Sequence, residues 1–264
     1  MNEFLALMAF LAQLALPLER VSIPGPDGVA LNAALVRPSG PVRAPAVILL
    51  HGCGGPGRRD SVWVKDLAGR GHIVLLPDSF GSRGLGAQCR NKTNTTTPGG
   101  PRRQDAIAAA QWLTALPGTP PGGVVLLGFS HGGSTVLWTA RQAPDLPAGL
   151  FRGFIAFYPG CAAPQGRANY RPSTRLLLLI GAEDNWTPAA PCRDFAARFP
   201  GQVDITIYPG AYHGFDLADG RRQQLHGLAF TADGSGTAWI GGDPTAAADA
   251  RQRVNGFLDT MPAR

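Results

Sequence analysis

Unbroken aliphatic runs punctuate this chain. Ala46–Leu50, Val124–Leu127 and Leu176–Ile180 each carry only apolar side chains, with Gly or Pro on at least one flank. Such runs predict strands buried on both faces, as in a parallel sheet. Val203–Tyr208 alternates polar and apolar residues and predicts a further strand. Two antiparallel strands are expected near Arg20–Ile23 and Leu31–Val36, and two more strands at His72–Pro77 and Gly153–Phe157. The segments between them predict helices over Ser61–Arg70, Arg102–Leu116, His131–Gln142, Ala189–Phe199 and Thr245–Leu258. This alternation predicts an α/β fold, a mostly parallel sheet with helices on both faces.

The most informative motif follows the run Val124–Leu127. Gly128-Phe129-Ser130-His131-Gly132 is a G-x-S-x-G pentapeptide placed where a strand must turn at once into a helix. The glycines lack Cβ, so the two elements can pass closely, and the serine hydroxyl is left exposed at the turn. A serine at neutral pH needs an adjacent base and a pocket for the developing oxyanion. Candidates lie downstream in the order serine, acid, histidine. The loop after Leu176–Ile180 carries Glu183 and Asp184, of which Asp184 is the expected acid. The loop after Val203–Tyr208 carries His213, the expected base, with His226 its rival. Upstream, Ala46–Leu50 runs into the glycine turn His51-Gly52-Cys53-Gly54-Gly55, which can aim backbone N–H groups at the nucleophile. The oxyanion donors expected are the amides of Cys53 and His131, with His51 shaping the turn.

These segments, with Leu75-Leu76-Pro77-Asp78-Ser79-Phe80-Gly81, Tyr158-Pro159-Gly160, Thr187-Pro188 and Tyr212-His213-Gly214-Phe215, resemble the dienelactone hydrolase family of α/β-hydrolases over roughly residues 20 to 260. The resemblance implies an α/β-hydrolase fold and a hydrolase acting without a cofactor. The name-giving enzymes use a cysteine nucleophile; Ser130 makes this chain more similar to serine-bearing esterase relatives. A carboxylic-ester hydrolase is therefore expected, with a thioesterase, a peptidase or a non-catalytic binding protein of the same fold as alternatives. Phe80, Tyr158 and Trp186 are expected to line a substrate pocket, where Arg83 or Arg90 could meet a carboxylate. The family's adjacent third and fourth strands imply a Cys53–Cys89 bridge, and neighbouring later strands a Cys161–Cys192 bridge. Four cysteines allow three connectivities. Bridges would favour a periplasmic or secreted location, free thiols a cytoplasmic one.

Composition narrows the picture further. The 264 residues, 44% of them hydrophobic and 16% charged, suit one well-buried domain over residues 20–264. The formal net charge of +6 comes largely from scattered arginines. The pairs Arg58-Arg59, Arg102-Arg103 and Arg221-Arg222 lie far apart without interleaved aromatics, and read as solvated surface rather than a nucleic-acid footprint. No zinc-type spacing or dinucleotide fingerprint occurs, so neither metal nor cofactor is expected, and the partner is a small-molecule ester. Residues 1–19 form an apolar N-terminal segment. Its run Phe4–Leu16 suits a secretory signal or a packed helix, but about 13 residues are too short to span a bilayer.

Overall fold

The computed structural model describes residues 18–261, so the N-terminal apolar segment lies, but for its last two residues, outside the described residues. Eight strands form one sheet: β1 (Leu18–Pro24), β2 (Ala30–Val36), β3 (Arg43–Leu50), β4 (His72–Pro77), β5 (Val124–Phe129), β6 (Phe151–Phe157), β7 (Leu176–Gly181) and β8 (Val203–Tyr208). Their order is β1-β2-β4-β3-β5-β6-β7-β8. β1, β2 and β4 pair antiparallel; every other pairing is parallel. The unbroken apolar runs fall at the centre, where β5 and β7 are buried along their whole length. Outermost β1 and β8 are largely or partly exposed, which matches their polar positions.

Helices α1 (Arg58–Gly69), α2 (Pro101–Ala115), α3 (His131–Ala140), α4 (Ala162–Gln165), α5 (Ala189–Ala197) and α6 (Pro244–Asp259) connect and cover the strands. Consecutive strand residues point to opposite faces, which places two of these helices. A Cβ on Gly128 would lie 2.4 Å from the Gly132 carbonyl of α3. The next side chain, Phe129, packs on Trp63 of α1. So α3 and α1 cover opposite faces of β5. On the α1 side, Arg251 of α6 sits over the Trp63 ring at 5.0 Å.

The helices begin or end within a few residues of the sequence expectation. The short α4 and a two-stranded ribbon, β9 (Gln223–Leu225) with β10 (Ala238–Ile240), were not anticipated. The ribbon strands are only three residues long, too short to carry a hydrophobic period that can be read. An isolated bridge between His213 and Ile240 nevertheless ties the ribbon to the loop after β8.

Candidate active site

Four loops meet at the carboxyl edge of the sheet, after β3, β5, β7 and β8. Ser130 occupies the turn between β5 and α3 with φ 53° and ψ −113°, a conformation that L-residues adopt only under strain. The turn is held by its neighbours. The Ser130 amide donates to Phe157 O at 2.9 Å, and Ser134 N donates to Ser130 O at 2.7 Å. Glycine is required around it, because a Cβ on Gly132 would stand 2.3 Å from the Leu50 carbonyl and one on Gly133 2.6 Å from that of Phe157.

The Ser130 hydroxyl lies 2.9 Å from Nε2 of His213, and the opposite ring nitrogen, Nδ1, lies 2.8 Å from Oδ2 of Asp184. Asp184 and His213 are both buried. Asp184 is tied through both oxygens: Oδ1 accepts from the amides of Trp186 and Thr187 at 2.9 and 2.8 Å, and Oδ2 lies 3.0 Å from the Thr187 hydroxyl. Tyr158 and Trp186 both pack against the imidazole, with ring centroids 4.5 and 4.7 Å away. Glu183 is exposed and His226 lies at the surface beside Thr237, so neither rival joins this group.

The glycine turn after β3 abuts Ser130, since a Cβ on Gly52 would come within 3.8 Å of the Ser130 Cβ. Cys53 and His131 border the same cavity as Ser130. His131 opens α3, where amides have no intrahelical acceptor and the helix dipole favours negative charge. His51 is buried and neutral: burial, then the Arg102 charge, holds its pKa well below the ordinary value, and Nδ1 donates to Gly52 O at 2.8 Å.

Arg102 is the residue that sequence reasoning misplaced most. The Arg102-Arg103 pair read as solvated surface, yet both side chains are buried. Arg102 donates 2.9 Å bonds to Nδ1 of His131 and to the carbonyl of His51. Burial lowers its pKa to about 10. Burial, followed by the same guanidinium, drives His131 down to about 3, so that imidazole stays neutral. Asp216 was also overlooked. It is fully buried and accepts from Tyr158 Oη at 2.7 Å, Trp63 Nε1 at 2.9 Å and Arg59 Nε at 3.0 Å, which fixes the ring packed on His213. Its one sequence signal is its place directly after Phe215 in the histidine loop.

A cavity of about 410 Å³ opens beside Ser130. Trp186 lines it. Phe80 and Tyr158 do not: both are buried, Phe80 beneath the Arg102 guanidinium and against His51 and His131, Tyr158 beneath His213. Aromatic residues beside strand ends complete the core here before they reach the cavity. Arg83 is engaged by Asp105, and Arg90 donates to the His226 carbonyl. The cavity wall is partly covalent, for Cys53 is bridged to Cys89 and Cys161 to Cys192, and three of these four cysteines line it. Among the described residues, no group of three His, Cys, Asp or Glu side chains is placed to hold a metal, and no helix is long and apolar enough to cross a membrane.

The family model for the dienelactone hydrolase family matches residues 31–261. The chain belongs to that family. No curated protein matches it. Among solved structures, this family member is similar to a protein described as a dienelactone hydrolase from Klebsiella pneumoniae, at 20% identity and TM-score 0.68, covering 92% of this chain and 98% of that one. It is likewise similar to dienelactone hydrolase from Anabaena variabilis, at 20% identity and TM-score 0.64, over 94% and 99% of the two chains. Acylaminoacyl peptidase from Pyrococcus horikoshii shares the fold at 17% identity and TM-score 0.65, with 94% of this chain matching 42% of that one. The fold is the α/β-hydrolase fold, and the family makes the chain a hydrolase.

Proposed function

We propose that the chain is a serine hydrolase of carboxylic esters, working through an acyl-enzyme intermediate. One observation carries this reading: the unbroken chain from Ser130 Oγ through His213 to Asp184. In this reading neutral His213 takes the Ser130 proton at Nε2 as the oxygen attacks the ester carbonyl. Its Nδ1–H stays on Asp184, which fixes the tautomer and stabilises the imidazolium that forms. The amides of Cys53 and His131 receive the oxyanion. His213 then returns its proton to the leaving alcohol, and water repeats the sequence on the acyl-enzyme. The two bridges support residence in an oxidising compartment, periplasmic or extracellular.

The test uses p-nitrophenyl acetate and butyrate beside the matching anilides, with a fluorophosphonate probe. Ester turnover and probe labelling at Ser130 are expected, and Ser130→Ala should lose turnover by several orders of magnitude while staying folded. Anilide turnover exceeding ester turnover would reassign the chain as a peptidase. A folded Ser130→Ala variant with near-native activity would remove the nucleophile assignment.

A further inference from the structure

The cavity beside Ser130 has no charge on its walls. Among the described residues, no Asp, Glu, Lys or Arg side chain lines it. Its one imidazole, that of His131, stays neutral beneath Arg102. Four arginines of the surrounding elements are engaged elsewhere: Arg102 by His131 and the His51 carbonyl, Arg83 by Asp105, Arg59 by Asp216, and Arg90 by the His226 carbonyl. An anionic group entering here would lose its water and gain no counter-charge, which is strongly unfavourable.

The walls are instead mostly apolar, with uncharged polar side chains such as Gln88, Asn94 and Thr231 among them. The Cys53–Cys89 bridge, Pro98, Ala162 and Pro191 face the space, and Trp186 and Phe230 border it. Phe230 is 64% exposed, one of two large hydrophobic side chains in the described chain left so open. It lies on the segment between β9 and β10, and that segment is anchored. Trp186 Nε1 donates to Phe230 O at 2.9 Å, and Ala229 N donates to Cys89 O at 2.8 Å. An exposed ring on a fixed backbone at a cavity mouth loses its contact with water only when an apolar group packs on it. Trp186 meanwhile stacks on His213, so a group held against that indole lies next to the base.

Resting on the ester-hydrolase reading, we propose that the substrates are uncharged esters bearing an aryl or similarly bulky apolar group, selected by Trp186 and Phe230, and that esters carrying a carboxylate are rejected. The cavity volume falls within the range of small-molecule sites. Selection comes from two sources, apolar contact that favours the ring and an absent counter-ion that disfavours the anion.

The experiment compares three p-nitrophenyl esters, the acetate, the benzoate and the 4-carboxybenzoate, in parallel with fluorophosphonate labelling. The benzoate is expected to exceed the 4-carboxybenzoate in kcat/KM by about a hundredfold or more, the scale of an unpaired desolvated charge. Phe230→Ala and Trp186→Ala should each shrink the benzoate-to-acetate ratio of kcat/KM by about tenfold, the scale of lost apolar contact. A 4-carboxybenzoate turned over as well as the benzoate, or a benzoate-to-acetate ratio untouched by both variants, would overturn the proposal while labelling at Ser130 left the hydrolase reading standing. Absence of both labelling and turnover would remove the two together.

Discussion

The Arg102 guanidinium donates to Nδ1 of His131 and, through its other terminal nitrogen, to the carbonyl of His51. One buried cation thereby joins the helix that follows Ser130 to the glycine turn opposite it. Both segments supply an amide to the proposed oxyanion hole, and the positive charge lies behind them. Arg102→Met should lower kcat on p-nitrophenyl acetate by about ten- to a hundredfold, somewhat less than loss of a direct oxyanion donor, with KM little changed. Arg102→Lys should restore part of kcat, because charge returns without the two-pronged geometry. A matched loss of kcat and thermal stability, with no rescue by lysine, would assign Arg102 to the fold alone.

Asp184 keeps its amide and hydroxyl partners on both oxygens, so Asp184→Asn preserves the loop but presents an N–H or a neutral oxygen to His213. Turnover should fall about ten-thousandfold, as when a triad aspartate becomes asparagine. Thr187→Val removes a hydroxyl that lies 3.0 Å from Asp184 Oδ2, 2.9 Å from the Tyr158 carbonyl and 3.1 Å from His213 Nδ1, but leaves the carboxylate in place, and should cost about tenfold. Steady-state kinetics on the two variants checks the order. Equal losses would place the orienting role on the whole loop instead of the carboxylate.

Asp60 connects the start of α1 to solution pH. Its Oδ2 accepts from Gly57 N at 2.7 Å, its Oδ1 is buried without a partner, and burial raises its pKa from the ordinary 3.8 to about 7. Between those values the native protein holds a proton that the unfolded chain has released. Stability from this group is therefore greatest near pH 4 and declines as pH rises to about 7, by roughly a few kcal/mol in all. Denaturant midpoints across this window should show that decline in the native protein and a flatter profile in Asp60→Asn. Parallel profiles would mean that Asp60 is ionised in both states.

The Cys53 side chain is committed to its bridge, and only its amide is assigned to the reaction. A Cys53→Ala, Cys89→Ala double variant should keep most ester turnover at moderate temperature while losing roughly 4 kcal/mol of stability, the chain-entropy value for a loop of this span. Cys53→Pro, which deletes the amide hydrogen, should lose about a hundred- to a thousandfold in kcat. An inactive but folded double variant would show that the sulfur itself shapes the site.

The sheet was legible because its central strands are continuous apolar runs with glycine or proline beside them, and His72–Pro77 and Val203–Tyr208 match β4 and β8 to the residue. Ser130, Asp184 and His213 were visible for a related reason, since each follows a recognisable strand directly. Arg102 was not. A buried arginine has the same sequence appearance as a solvated one, and its partners, a carbonyl after β3 and an imidazole after β5, meet it only in the folded sheet. Phe80 and Tyr158 misled in the opposite way, because an aromatic beside a strand end can turn toward the core or the cavity, and local sequence does not say which.

Ser130 occupies a backbone conformation suited to glycine. Holding a serine there raises the energy of the native state by roughly 1–3 kcal/mol, whereas glycine would relieve much of that strain at about 0.5–1 kcal/mol of extra unfolded-chain entropy. Stability and turnover therefore oppose each other at this single position. Selection for heat resistance alone would tend to replace the proposed nucleophile, and a library screened only for survival at high temperature should accumulate folded, inactive proteins with glycine at position 130.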